Sequence, residues 1–480
     1  MLFNSIDFAV FLPVVFLIYW FLVYRRLSVQ NGFLVMASYL FYGWWDYRFL
    51  FLLFLSTAID FGIGLALQKE NRSLQRKWIL WGGISFNLLL LFFFKYFNFF
   101  QDSFVTAFRF LGMELNARSL SLILPVGISF YTFQSISYSI DVYRRKIEPT
   151  RDAIAFLAYV SFFPQLVAGP IERGSHLLPQ FFQKRSFDHY QAIRGMRQIL
   201  WGLFKKIVIA DNCAEHVNFI FSDPAAHNGS TLLLGALLFS FQIYGDFSGY
   251  SDIAIGTARL FGFELMQNFS FPYFATGIAD FWRRWHISLT SWFRDYVYIP
   301  LGGSRMGKGN QIRNTLIVFL LSGLWHGAKW TFVVWGLLHF LFMLPGLLRT
   351  KSAGQVSSPR SFPLSFFLSV LATFSLVMLA WIFFRAEDLS SAFVYVKGIC
   401  SSTLLEKPVL PSMGHAFYTM IFILIFMGVE WQSRHKSYGA EQLFNKKASW
   451  MRWVLYVLIV CTIYFYGNFS ETIEFIYFQF

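Results

Sequence analysis

Residues 315–347 read TLIVFLLSGLWHGAKWTFVVWGLLHFLFMLPGL. Two strongly apolar runs, Thr315–Leu321 and Trp330–Leu347, lie on either side of a short polar interruption that contains His326 and Lys329. The longer run approaches the ~20 apolar residues that are needed to cross a lipid bilayer. An ionisable residue beside such runs is energetically costly, so it is a functional hypothesis in its own right. This stretch predicts membrane-embedded helices around a buried histidine.

The rest of the chain repeats this apolar pattern. The protein has 480 residues, of which 56% are hydrophobic, 21% aromatic and 14% charged, whereas soluble domains carry roughly 25% charged residues. We therefore predict an all-α polytopic integral membrane protein with about 10–12 transmembrane helices plus re-entrant and interfacial helices. Its further apolar runs are Phe8–Val23, Trp78–Phe94, Leu232–Ile243, Phe362–Phe384, Phe417–Val429 and Trp450–Tyr466.

The charge pattern predicts the orientation. The net charge of +14 comes from short basic clusters between apolar runs, as the positive-inside rule expects of cytoplasmic loops, and this disfavours nucleic-acid binding. Met1–Asp7 has no basic residue, so we expect the N-terminus outside and an uncleaved first helix. The clusters are Arg25 and Arg26; Lys69, Arg72, Arg76 and Lys77; Arg144 to Lys146; Lys184 and Arg185; and Lys205 and Lys206.

We expect one domain over residues 1–480. It would comprise N-terminal helices (1–120), a core (120–345) and C-terminal helices (360–480), with Lys351–Arg360 as a loop. Residues 160–206 and 265–313 mix Pro, Gly, Arg and aromatics, so they cannot be clean spanning helices and are expected to line a functional interior. Cys213, Cys400 and Cys461 share no metal-ligand spacing, so they are interpreted as apolar fillers and no metal site is predicted.

The first candidate site surrounds His326. On a continuous helix, Ser322, Lys329 and Trp330 would share its face, and the adjacent small residues would let a ligand or a helix approach closely. Histidine is the usual general base near neutral pH. The alternative is a histidine that only makes a hydrogen bond between helices. The small residues are Gly323, Gly327 and Ala328.

The second candidate is residues 281–295, which predict an amphipathic helix at the membrane interface with His286 at its middle. Arg283, Arg284 and Arg294 could hold phosphate groups of an acyl-carrier cofactor, or simply contact anionic lipid. We expect His339, thirteen residues after His326, to be a helix-contact residue.

The third candidate is the block from Tyr244 to Asp252. Asp246, Ser248 and Asp252 could form an acid/base pair, although we favour a structural role in pairing with arginines or orienting a histidine. The chain has no HExxH, P-loop, nucleotide-binding GxGxxG or GxSxG motif, so metalloprotease, NTPase and dinucleotide functions are unsupported.

Five motifs follow one another in order and together resemble the membrane-bound O-acyltransferase superfamily, and within it the bacterial clade of the alginate O-acetyltransferase membrane subunit. The opening MLFNS (residues 1–5) and the closing FIYFQF (475–480) resemble that clade too. The motifs are LPVGISF (124–130), FPQLVAGPI (163–171), DFSGYSD (246–252), RWHISL (284–289) and GLWHG (323–327).

This resemblance implies that His326 is the catalytic histidine and His286 the second signature histidine, with Trp285 and Trp325 beside them in the motifs. It also implies a helical ring around a central tunnel, with acetyl-CoA as cytoplasmic donor and a separate extracytoplasmic SGNH-type acetyltransferase as partner. The expected product is an O-acetylated extracytoplasmic polysaccharide such as alginate. His326 would act as general base, with a covalent acyl-histidine as an open alternative.

Three rival functions stay open at this point. D-alanyl transfer to teichoic acid and peptidoglycan O-acetylation would use the same motifs. A polysaccharide exporter or transporter would also have broken helices and charges at membrane depth.

Overall fold

The computed structural model describes residues 1–113, 120, 122–348, 364–436, 438–445, 448–467, 469 and 475–476. All regular secondary structure in these residues is helical, and none of them forms a strand, so the all-α prediction is confirmed. The predicted loop Lys351–Arg360 lies outside the described residues. The described chain forms two compact units, Met1–Met196 with Ala254–Met266, and Arg197–Ile253 with Gln267–Phe480; the expectation of one domain stays a prediction.

Apolar helices dominate the first unit, and side-chain caps fix several of their starts. The Ser5 side chain accepts a hydrogen bond from the Phe8 N–H at 3.2 Å, and Asp152 accepts one from Ala155 at 3.0 Å; each satisfies a backbone donor that the helix itself leaves open. The longer helices are Ile6–Leu17, Leu27–Asp46, Leu50–Lys69, Ser73–Leu91, Phe97–Phe110, Ile128–Tyr143 and Ala153–Ser161.

Helices of the second unit carry the histidine motifs. Two further helices, His189–Leu203 and Gly229–Leu260, contribute residues to both units. The second unit's own helices are Asp211–Ser222, Ile278–Arg284, Ile287–Phe293, Lys308–His326, Trp330–Leu348, Leu364–Arg385, Leu389–Ile399, Met413–Ser433, Glu441–Asn445 and Ser449–Tyr466.

Seven helical segments in the described chain are long and apolar enough to cross a membrane. Fewer segments qualify than the 10–12 expected. One reason is that the 43-residue segment Leu27–Lys69 contains two helices joined at Tyr47–Phe49. Another is that the apolar helices Ile6–Leu22 and Leu389–Ile399 are shorter than the seven qualifying segments. The protein is thus a multi-pass membrane protein. The other segments are Ser73–Phe110, Gly229–Leu260, Trp330–Leu348, Leu364–Arg385, Met413–Ser433 and Ser449–Tyr466.

Candidate active site

Two antiparallel 19-residue helices, Lys308–His326 and Trp330–Leu348, form a hairpin that presents His326 at its turn. Glycine makes the close approach possible, because a Cβ at Gly323 would overlap the backbone carbonyl of Phe332. At the open end, the Lys308 ammonium donates to the carbonyl of Leu348 at 2.9 Å. The small residues therefore serve helix packing, as one of the two sequence interpretations proposed.

His326 is the last residue of its helix, and Gly327 continues in extended conformation. Ser322 lies one turn earlier and is buried, whereas Lys329 and Trp330 are exposed. The prediction that Lys329 and Trp330 share a helical face with His326 is wrong, because the helix ends before it reaches them. The chain needs residues 327–329 to reverse direction.

Aromatic rings enclose the imidazole of His326, and this residue is only 3% exposed to solvent. The ring centroids of Trp325, Trp335 and Phe384 lie 4.9, 5.0 and 5.2 Å from that of His326, all in edge-on orientations. Such walls exclude water and lower the local dielectric, which strengthens electrostatic interactions inside the site.

The structure brings the two signature histidines together. The ring centroids of His286 and His326 are 6.5 Å apart, and the centroid of the Trp325 ring lies 5.7 Å from that of His286. His286 is fully buried, and Phe247 contacts it edge-on at 4.7 Å. A pair of imidazoles at this separation can act on one reacting centre placed between them.

The backbone at His286 departs from the predicted amphipathic helix. Two short helices, Ile278–Arg284 and Ile287–Phe293, are interrupted at Trp285 and His286. His286 has φ 44° and ψ 54°, in the left-handed region that non-glycine residues seldom adopt. The continuous helix was therefore a wrong prediction. The strained conformation directs His286 inward, and such strain is common at functional sites.

Asn268 holds His286 in place. Its side-chain Oδ1 accepts from Ser288 Oγ at 2.9 Å and lies 3.0 Å from His286 Nδ1, while its Nδ2 donates to Ser251 Oγ at 3.2 Å. The Ile287 N–H also donates to the Asn268 carbonyl at 2.9 Å. Sequence reasoning missed Asn268; the only signal was an amide side chain in a segment already expected to line the interior, and Gln267 beside it carries the same signal.

This contact assigns the tautomer of His286. Because the amide oxygen can only accept, Nδ1 carries the hydrogen and Nε2 keeps its lone pair. No hydrogen-bond partner for Nε2 is found among the described residues. His286 lies outside the seven candidate spans, and burial lowers the pKa of its imidazole to about 3, so the ring is neutral near pH 7. Its Nε2 is available to accept a hydrogen bond from a substrate.

The carboxylates of the third candidate form buried ion pairs, but their partners differ from those expected. Asp246 lies 3.0 Å from the Lys206 ammonium and Asp252 lies 2.5 Å from that of Lys205; Lys206 also pairs with Asp211 at 2.7 Å. Both lysines are buried on the π-helical segment Phe204–Ala210. The expected arginine partners are therefore wrong, and so is the loop position expected for these lysines. Buried charges require such pairing.

The remaining candidate residues occupy different environments. Ser248 is buried on the same helix as Asp246. Arg283 is exposed, and Arg284 pairs with Asp280 at 3.0 Å. Trp285 is fully buried and packs 5.0 Å from the Trp381 ring, so it belongs to the core of this unit rather than to an interface.

A cavity of about 340 Å³ lies beside the hairpin, and Arg283, Arg294 and Ser322 are among its lining residues. Ser322 lies one turn before His326 on the same helix, whereas neither His326 nor His286 is among the residues that line this cavity. His339 accepts a hydrogen bond from Trp282 Nε1 at 3.3 Å and is fully buried among aromatic rings. This is the helix-contact role expected of it.

Comparison with known proteins agrees with the motifs. The family model described as membrane-bound O-acyltransferase matches residues 146–352. A probable alginate O-acetylase AlgI of Azotobacter vinelandii is 39% identical over 407 residues, which cover 82% of this chain and 79% of the relative. The chain belongs to the membrane-bound O-acyltransferase family.

The names of other relatives specify different acceptors of the acyl group. A peptidoglycan O-acetyltransferase of Helicobacter pylori (strain ATCC 700392 / 26695) is 39% identical over 429 residues, 83% of this chain and 80% of the relative. A teichoic acid D-alanyltransferase of Bacillus subtilis (strain 168) is 31% identical over 238 residues, 46% of this chain and 59% of the relative. This membrane-bound O-acyltransferase is thus an enzyme, and the exporter alternative has no support. The matched region contains Asn268, His286 and His326.

Proposed function

We propose that this O-acyltransferase moves an acetyl group from cytoplasmic acetyl-CoA across the bacterial inner membrane for O-acetylation of an extracytoplasmic polysaccharide such as alginate. The observation that carries the proposal is the buried pair of His326 and His286, with ring centroids 6.5 Å apart. The relatives that match most of the chain carry names of O-acetylating proteins, whereas the D-alanyltransferase match covers 46% of it. Acetyl is therefore favoured over D-alanyl.

In this proposal His326 is the general base. As the acceptor hydroxyl oxygen attacks the thioester carbonyl, the imidazole of His326 takes the hydroxyl proton and a tetrahedral oxyanion forms. Collapse of that intermediate breaks the carbon–sulfur bond, and the imidazolium returns its proton to the departing thiolate. The new bond is an oxygen ester, and CoA leaves as a thiol. The dry aromatic surroundings favour this proton shuttle because bulk water cannot compete.

His286 has a positioning role. Its Nε2 lone pair can accept a hydrogen bond from a donor group of the substrate other than the attacking hydroxyl, whose one proton goes to His326, and so orient the reacting groups. Trp335 supplies a complementary group, because its indole N–H is buried without an acceptor among the described residues and its ring lies 5.0 Å from His326. We assign this N–H to stabilising the oxyanion.

The donor would enter through the cavity beside the hairpin. Arg283 and Arg294 line it, and guanidinium groups suit the phosphates of CoA. From the basic clusters and the positive-inside rule we infer that the N-terminus lies outside. A separate SGNH-type acetyltransferase on the extracytoplasmic side would receive the acetyl group and pass it to the polymer.

A gene deletion tests the function. Mild base releases ester-linked groups from each purified envelope polymer, and the released acetate and D-alanine are then quantified. The proposal expects loss of acetate from an exopolysaccharide with D-alanine unchanged. Loss of acetate from peptidoglycan instead would favour the second candidate, which the Helicobacter pylori relative supports. Loss of D-alanine alone would contradict acetyl transfer.

A further inference from the structure

A polar cavity of about 530 Å³ lies within the unit that comprises residues 1–196 and 254–266. None of the residues assigned above to acyl transfer lines it. Its lining carries four cationic and two acidic side chains, so its charge is positive on balance. These are Lys184, Arg185, Arg194 and Arg259, with Asp188 and Glu264.

Arg185 forms the deepest part of the charged lining and is only 8% exposed. Its guanidinium donates to Gln30 Oε1 at 3.0 and 3.1 Å and to Asn31 Oδ1 at 2.6 Å, and it lies 4.8 Å from the Phe263 ring centroid. These partners are neutral, and no carboxylate forms an ion pair with Arg185 in the described part of the chain. A buried cation without a counter-charge is costly, so an anion in the cavity would stabilise it.

Hydrogen bonds among the lining residues hold the walls of the cavity in place. Gln180 exchanges two hydrogen bonds with the backbone of Glu264, at 2.9 and 2.8 Å. Trp20 Nε1 donates to the Leu260 carbonyl at 2.9 Å. Because these bonds hold the lining without a ligand, little ordering cost remains for binding.

We propose that this cavity is a binding site for a phosphate-bearing anion, which Arg185 contacts from below and Lys184 from the exposed rim. Arginine and lysine are the usual partners of phosphate oxygens. Two sources share this chemistry, the headgroup of an anionic phospholipid and a soluble phosphorylated molecule. The site is an addition to the acyl-transfer site and does not depend on it.

The test uses the full-length protein purified in detergent and two probes. Inorganic pyrophosphate represents the soluble source and is titrated calorimetrically. Phosphatidylglycerol represents the lipid source; its retention is measured by native mass spectrometry against phosphatidylcholine. The variants are Lys184→Gln and Arg185→Gln, with Lys77→Gln as the control, since Lys77 is an exposed cation of the same unit outside the cavity. Because Arg185 also braces Gln30 and Asn31, Lys184→Gln is the variant that leaves the buried contacts intact.

At least one probe should bind the wild type. Lys184→Gln should weaken that binding about threefold to tenfold, and a folded Arg185→Gln should weaken it more than about tenfold, with Lys77→Gln unchanged. Binding of phosphatidylglycerol alone would identify a lipid headgroup, and binding of pyrophosphate alone a soluble anion. If neither probe binds, or if Lys184→Gln binds like Lys77→Gln, the proposal is overturned.

Discussion

Asn268 lies 18 residues before His286 in the sequence, yet its amide oxygen is 3.0 Å from the imidazole Nδ1. The same oxygen accepts a hydrogen bond from Ser288. One amide therefore fixes both the tautomer and the direction of the His286 ring. Asn268 is a positioning residue in this account, because it acts through the histidine.

Replacing Asn268 tests that role. Asn268→Ala should lower the acyl-transfer rate about tenfold or more, since a lost hydrogen bond of this kind costs roughly 1–3 kcal/mol. Asn268→Asp keeps an acceptor for Nδ1 and should recover part of the rate while shifting its pH profile, because a carboxylate raises the pKa of an adjacent imidazole. Rates are measured in proteoliposomes with radiolabelled donor. Equal rates for both variants, at equal protein abundance, would show that the contact is only structural.

Replacing Trp335 tests whether its indole N–H stabilises the oxyanion. Trp335→Phe removes the indole N–H but keeps an aromatic ring against His326, so the chemical step should slow about 100-fold or more, the usual effect of deleting an oxyanion donor. The apparent KM for donor should change little. The matched control is Trp453→Phe, an exposed tryptophan on Ser449–Tyr466. A rate constant within about twofold of the wild type would remove Trp335 from the mechanism.

The helical hairpin should be intolerant of side chains at its crossing. Gly323→Val inserts atoms against the Phe332 backbone, and overpacking of this kind costs about 1–3 kcal/mol. Thermal unfolding in detergent should occur at a lower temperature, with reduced activity because His326 follows three residues later. Gly346→Ala is the control on the same hairpin, since a Cβ there meets no atom within 4 Å. Similar melting of the two variants would contradict the packing account.

The pair of His176 and Glu172 predicts a pH-dependent stability. His176 Nδ1 lies 2.7 Å from Glu172 Oε2, and this hydrogen bond raises the pKa of His176 above its usual 6.5. Because the pKa is higher in the folded state, the ion pair stabilises the folded protein below about pH 6.5. This stabilisation is lost as the pH rises through the folded-state pKa of His176. The melting temperature should therefore fall more between about pH 6 and 8.5 in the wild type than in His176→Ala.

The exposed His189 provides the control for this comparison. His189→Ala should keep the wild-type dependence of melting temperature on pH. If His176→Ala shows that same dependence, the ion pair contributes nothing to it.

The sequence located the hairpin that carries His326 because the signal there is local. A histidine between two apolar runs and glycines three to four residues apart identify a buried, closely packed turn without any distant information. The end of the helix at His326 was missed, because Gly327, a residue type that often ends helices, was interpreted as a packing residue like Gly323. As a result, Lys329 was placed on the wrong side of the site.

Tertiary contacts explain the other errors. The apolar spacing of residues 281–293 continues through Trp285 and His286, so pattern alone predicts an unbroken helix. At the break the Asn268 carbonyl accepts from the Ile287 N–H, and the Arg284 carbonyl accepts from the Ser270 N–H; both partners are distant in sequence from the pattern. Lys205 and Lys206 resemble loop cations because Asp252 and Asp246, with which they pair, lie 47 and 40 residues away in the sequence; only Asp211, the second partner of Lys206, is close in sequence. Long-range charge pairing cannot be read from local composition.

The most direct test of the central claim is the ester-linked acetate content of the envelope polysaccharide in cells that carry only His326→Ala. Immunoblotting checks that the variant and the wild-type protein are equally abundant, and His189→Ala is the control. Acetate should fall to the level of the gene deletion, since no other group would take the hydroxyl proton, while the control stays at the wild-type level. Wild-type acetate in the His326→Ala cells would contradict proton abstraction by this imidazole.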